Sequence, residues 1–228
     1  MPEFTRYAVY YAPEPGPLAD FAASWLGWDP VAGAECPRPV VPGLQADIPA
    51  LTAEAHKYGF HGTLKPPFRL AEGRDEATLI AAVDALGGTL APIEMPALAL
   101  RRIGRFLALT PEGDTAPLMA LAARVVEALD PFRAPMTAAD RARRHPEKLS
   151  PAQVALLDRW GYPYVMDEFR FHLTLTGKLT EAEAEAVRAA LAPVLAPLLP
   201  VPFRIASLCV FGEAADGRFH LVHRSPLI

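Results

Sequence analysis

Two histidine–threonine pairs stand out by residue type and spacing: His61-Gly62-Thr63-Leu64 and His172-Leu173-Thr174-Leu175. In a strand, alternate residues share a face, so His61 projects with Thr63 and His172 with Thr174. The intervening Gly62, Leu64, Leu173 and Leu175 then turn toward packing. If the two strands face one another, two imidazoles and two hydroxyls converge. An imidazole titrates near pH 6.5, so close to neutrality one ring can be neutral and the other protonated. The neutral ring takes a proton from water or a ribose hydroxyl, and the charged ring gives one to a departing oxygen. Such steps contribute about 10²–10⁴-fold each. Threonine hydroxyls can donate to non-bridging phosphate oxygens. This set suits metal-free phosphodiester chemistry, with either histidine as acid or base. A zinc site fits poorly, because no carboxylate or cysteine cluster accompanies either motif. His220 and His223, three apart on a strand, point to opposite faces.

The elements that must position these groups follow from periodicity. Arg6–Tyr11 reads as a strand, and Leu18, Phe21, Ala22, Trp25 and Leu26 as a helix face. The Pro-rich stretch 29–50 reads as a surface loop. Tyr58–Leu64 is a short strand stopped by Pro66-Pro67, and Leu79–Leu86 a helix closed by Gly87-Gly88. A hairpin turns at Gly104, and a helix spans Leu118–Leu129. Within 131–165, Ser150-Pro151-Ala152-Gln153 opens a short helix with a cap, a first-turn proline and a capping-box glutamine. Phe169–Thr176 is the second motif strand. Thr180 caps a helix that Pro193 kinks or ends, and a last hairpin turns near Asp216-Gly217.

The order of motif strand, helix, strand, glycine turn and strand occurs twice. Phe60-His61 matches Phe171-His172, and Gly104-Arg105-Phe106 matches Gly217-Arg218-Phe219. The expected architecture is α+β: a single bilobal domain over 1–228 with a pseudo-twofold, two antiparallel sheets flanked by helices, and a central cleft. One motif half covers about 55–112, the other about 166–228, and a helical insertion about 131–165.

Composition narrows the partners. A chain of 228 residues with net charge −4 is not built to coat long nucleic acid, which needs many phosphate contacts. Cys36 and Cys209 give neither metal spacing nor a disulfide framework. The first residues lack a signal peptide's basic start and apolar stretch, and no apolar run approaches the roughly 20 residues that cross a bilayer. The expectation is a cytoplasmic monomer with no membrane partner and no cofactor. Its substrate is a small phosphodiester or nucleotide, with short RNA ends as a second candidate.

Over nearly its whole length the chain resembles the two-histidine phosphoesterase superfamily, whose paired His-x-Thr/Ser-x motifs match at His61 and His172. Three longer strings, Lys57–Phe68, Arg159–Tyr164 and Phe169–Gly177, resemble a branch often encoded in phosphonate-degradation operons. The resemblance implies acid–base catalysis by His61 and His172, phosphate binding by Thr63 and Thr174, and no metal. It implies a phosphoric diester hydrolase, with a non-catalytic nucleotide or RNA-end binding module as the other reading. Around the motifs, Lys65 and Arg170 share strand parity with their histidines and are candidate anion contacts. Tyr58 has the opposite parity and needs a bend at Gly59 to take part. Arg144 lies in the basic run Arg141–Lys148, which is either a solvated face or a lid over phosphate.

Overall fold

The computed structural model describes residues 3–228, and its architecture is α+β. The strands are β1 (Phe4–Tyr11), β2 (Trp28–Asp29), β3 (Ala34–Glu35), β4 (Gly62–Phe68), β5 (Ile93–Met95), β6 (Leu98–Ile103), β7 (Phe106–Pro111), β8 (Leu173–Thr174), β9 (Phe203–Ile205), β10 (Ser207–Ala214) and β11 (Phe219–Pro226). The helices are α1 (Pro17–Leu26), α2 (Ile48–His56), α3 (Glu76–Gly87), α4 (Ala116–Ala128), α5 (Ala138–Ala142), α6 (Pro151–Trp160) and α7 (Glu181–Leu195). Side-chain caps begin α2, α3, α5, α6 and α7, whereas α1 and α4, the latter at Thr115, start without one. Ser150 with Gln153 and Thr180 with Glu183 form reciprocal capping boxes.

One antiparallel sheet runs β11-β10-β1-β4-β8-β7-β6, with two small ribbons, β2-β3 and β5-β9, beside it. β4 and β8 meet at a single pair, Gly62 with Leu173. A four-stranded half and a three-stranded half therefore join at one narrow seam. The two sequence repeats do not each build one half. The β6-β7 hairpin of the first repeat lies beside β8, and the β10-β11 hairpin of the second lies beside β1, on the edge of β1 away from β4. The expected assignment of 55–112 and 166–228 to separate lobes is corrected in this respect: the hairpins are exchanged.

The two faces of the sheet have different duties. Tyr7, Val9 and Tyr11 of β1, Leu64 and Phe68 of β4, Leu107 and Leu109 of β7, and Leu173 and Leu175 join the main core. Apolar faces of α1, α3, α4 and α7 cover them, through Trp25, Val83, Val125 and Leu191 among others. Alternate residues Ala8 and Tyr10 fall on the opposite face, with Phe211 and Phe219. This second face carries the cleft.

Two readings of the first motif change. Tyr58–Phe60 is a turn rather than strand, and β4 continues through Pro66-Pro67. Tyr7 pairs with Phe68 and Val9 with Lys65, so Pro66 and Pro67 together oppose Ala8 in a bulge. A bulge is one of the few places a sheet tolerates proline. In the Pro-rich stretch 29–50, read as loop, α2 begins at Ile48, capped by Asp47.

Candidate active site

A cleft of about 460 Å³ opens over the seam between the sheet halves, and His61, Thr63, His172 and Thr174 all line it. The two motifs are thus brought to one place. Each imidazole is held in the same way. The Nδ1–H of His61 donates to the Gly59 carbonyl at 2.9 Å, and that of His172 donates to the Arg170 carbonyl at 2.8 Å. A carbonyl only accepts, so Nδ1 carries the proton in both rings and Nε2 is left free. Neither Thr63 nor Thr174 spends its hydroxyl on a protein partner among the described residues, so both can donate to a ligand.

The glycines around the first histidine have structural reasons. Gly59 sits at φ +68°, and a Cβ there would stand 2.7 Å from the Pro30 ring. The bend it makes brings its carbonyl under His61 and turns Tyr58 into the cleft. At Gly62, a Cβ would meet the Phe171 ring at 2.3 Å. Only glycine lets the residue before the second histidine pack across the seam.

His61 stacks on Tyr10, with ring centroids 4.0 Å apart, and Tyr58 flanks it at 5.6 Å. Burial pushes its pKa down to about 4 against the pull of the Gly59 hydrogen bond, and the nearby His172 pushes in the same direction. His61 is therefore neutral near pH 7, with a free lone pair on Nε2. Phe106 packs against the His172 ring at 5.5 Å. Tyr10, Tyr58, Phe106 and Tyr162 give the cleft aromatic walls.

Two of the four supporting candidates reach the cleft. Tyr58 does so through the Gly59 bend. Arg144 does so from the insertion, its guanidinium 4.9 Å over the Tyr162 ring. Three others of that run are paired with carboxylates: Arg141 with Asp158, Arg143 with Asp140, and His145 with Glu147.

Lys65 is corrected. Thr63 pairs with Tyr10 but Lys65 with Val9, so Leu64 is an extra residue and strand parity flips between them. The Lys65 side chain enters the opposite face, 2% exposed, where Nζ donates to the Val126 carbonyl at 3.1 Å and lies 3.8 Å from Asp130. Burial pushes its pKa down to about 8. It serves the C-terminal end of α4, where a cation meets unpaired carbonyls. Arg170 is corrected as well, because β8 starts only at Leu173 and residues 169–172 do not keep strand parity. Its guanidinium folds back onto the carbonyls of Asp167 and Phe169, 2.9 and 2.6 Å away. It lines a neighbouring hollow that shares Thr63 and His172 with the cleft, but not the cleft itself.

Sequence reasoning missed Arg6, Tyr10, Glu54, Tyr162 and Lys178, which also line the cleft. The signal for Arg6 and Tyr10 was available, since they share β1 parity on the face opposite the apolar residues. Arg6 is held by the Glu213 carboxylate. Lys178 has no carboxylate partner among the described residues. No group of three or more His, Cys, Asp or Glu placed to hold a metal ion occurs among them, and no helix is long and apolar enough to cross a membrane.

Residues 63–220 match the family described as Protein of unknown function (DUF1045), and the chain belongs to that family. Two curated relatives are both named ribose 1,5-bisphosphate phosphokinase PhnN. The protein from Janthinobacterium sp. (strain Marseille) is 37% identical over 219 residues, 93% of this chain and 48% of the relative. The protein from Laribacter hongkongensis (strain HLHK9) is 36% identical over 179 residues, 78% of this chain and 41% of the relative. The chain thus spans about half the length of the curated relatives it matches, or less. Among solved structures it is similar to E. coli LigT complexed with 3′-AMP (15% identity, TM-score 0.42, 99% of each chain). It is also similar to TT0787 of Thermus thermophilus (14% identity, TM-score 0.43, 97% of each chain).

Proposed function

We propose that this protein is a metal-independent phosphodiesterase that acts on a small cyclic or nucleotide-like phosphodiester. The observation that supports this reading most is the matched tethering of two imidazoles in one cleft. Each ring keeps Nδ1–H on a backbone carbonyl and has Nε2 free. Binding alone does not require two such groups, whereas proton transfer to and from a phosphodiester does.

His61, kept neutral by burial, is the base. Its Nε2 takes a proton from water as the water oxygen forms a bond to phosphorus. The bond from phosphorus to the leaving oxygen breaks, and that oxygen takes the Nε2 proton of a protonated His172. The products are a phosphomonoester and a free hydroxyl. His61 then carries the proton that His172 has lost, and exchange with solvent resets the pair. Thr63 and Thr174 donate to the non-bridging oxygens, and Arg144 and Lys178 supply positive charge at the rim. The aromatic walls suit a nucleoside or sugar face.

The name of the curated relatives refers to a doubly phosphorylated ribose. The G-x-x-x-x-G-K-[ST] phosphate loop of many kinases is absent from this sequence, so we read this region as a companion activity on ribosyl phosphates. That reading fits the phosphonate-degradation branch it resembles.

The test is turnover of 2′,3′-cyclic nucleotides, ribose 1,2-cyclic phosphate and short cyclic-ended RNA, with and without EDTA. His61→Ala and His172→Ala should each lower kcat about 10²–10⁴-fold while circular dichroism stays unchanged. Loss of activity in EDTA, or near-wild-type turnover in either variant, overturns the mechanism. Nucleotide binding without turnover of any panel member would favour a binding module.

A further inference from the structure

Beside the cleft lies a second hollow of about 240 Å³, lined by Arg6, Arg69, Arg133, Arg143 and Arg144 with Asp140. It adjoins the cleft directly, since Arg6, Pro67 and Arg144 line both. Such a gathering of guanidinium groups is unexpected in a chain of net charge −4. Their carboxylate partners do not balance them. Arg6 pairs with Glu213 and Arg133 with Asp130, which Lys65 also approaches. Arg69 and Arg143 both depend on Asp140, and Arg144 has no carboxylate among the described residues. Five guanidinium charges therefore meet three carboxylates around one concave surface. Uncompensated like charge around a concavity is relieved by a bound anion, and the planar guanidinium fork matches phosphate oxygens.

The insertion gains a purpose from this arrangement. It carries Arg133, Arg143 and Arg144 to a site whose other arginines, Arg6 and Arg69, come from β1 and from the end of β4. We propose that the substrate bears a second phosphate, with the phosphodiester at the two histidines and a phosphate monoester in the arginine hollow. The proposal rests on reading the cleft as a phosphodiester site, and it names the substrate class: doubly phosphorylated sugars or nucleotides.

The experiment compares adenosine 2′,3′-cyclic phosphate with its 5′-phosphorylated form, using wild type, Arg143→Gln and Arg69→Gln/Arg143→Gln. Neither residue lines the cleft, and Arg143 is largely exposed, so folding should survive. The 5′-phosphorylated substrate should have a kcat/KM about 10–100-fold higher, the range expected for a charge-assisted hydrogen bond. The preference should shrink in the variants and at high salt, while kcat/KM for the plain diester stays within about twofold. Equal kcat/KM for the two substrates, or a preference that survives in the double variant, overturns the proposal. If neither is turned over, the wider substrate panel decides the phosphodiesterase reading, and calorimetry with inorganic phosphate judges the hollow by itself. Binding kept in His172→Ala and lost in Arg69→Gln/Arg143→Gln supports it, and any other pattern overturns it.

Discussion

Replacing Gly62 by alanine tests how the two motifs are brought together. Gly62 pairs with Leu173 at the one contact between β4 and β8. A Cβ there would lie 2.3 and 2.5 Å from two carbons of the Phe171 ring, where unstrained carbon contacts are about 3.5–4.0 Å. Something must move by more than about 1 Å. Phe171 has little room, since it is 7% exposed and packed against Tyr11 and Phe203 at 6.1 Å each. Overpacking of this kind costs about 1–3 kcal/mol. Urea unfolding should show that loss in Gly62→Ala, together with a fall in kcat as the histidines are displaced. Phe171→Leu removes part of the ring and should by itself cost roughly 1–2 kcal/mol. If the clash is the cause, the double variant loses less than the sum of the singles, by about 1 kcal/mol or more. Additivity within about 0.5 kcal/mol would refute the seam as the origin of the glycine.

Three further outcomes follow from the site. Because His61 is neutral down to about pH 4, the acid limb of kcat/KM should lie nearer 4 than 6.5; a limb at 6.5 would show that His61 is not the base. The same group makes stability fall with acid. Between pH 6.5 and 4 the unfolded chain binds a proton that the folded one refuses, so stability is full above 6.5 and drops through that window. The loss is about 1–3 kcal/mol after discounting residual exposure, and it should be absent from urea titrations of His61→Gln. Lys65→Met should leave kcat/KM within about twofold while destabilising the protein by roughly 1–3 kcal/mol, because the Val126 carbonyl loses its donor; a large fall in activity with intact stability would return Lys65 to the cleft.

The paired motifs, helices α1, α3, α4, α6 and α7, and the hairpins β6-β7 and β10-β11 were legible in the sequence because their signals are local, whereas α2, α5 and the β2-β3 ribbon were not. Apolar residues at 3.6 or 2 spacing, caps and glycine turns are written where they act. α2 escaped notice because Pro49 and the surrounding prolines masked a nine-residue helix whose main signal is Asp47. Lys65 and Arg170 were misplaced for a common reason. Parity arguments assume an unbroken pleat, and a bulge at Leu64 and an irregular stretch before Leu173 both break it. The arginine hollow was invisible because its members lie far apart in sequence, and only the fold of the insertion gathers them.

The exchange of hairpins between the sequence repeats bears on how the chain acquires its structure. β1 has β4 on one side and β10 on the other, with Phe4 paired to Ala214. During synthesis, β1 and β4 can therefore emerge and pair while one edge of β1 stays open until residues 207–214 have been made. Likewise β6-β7 waits for β8 before its inner edge is covered. Neither repeat closes its own sheet, so a chain cut between them should yield two fragments with bare strand edges rather than two stable lobes. The dominance of such distant pairings predicts slow folding for the protein's size. It also ties the paired histidines to pairings made only after both motifs have been synthesised.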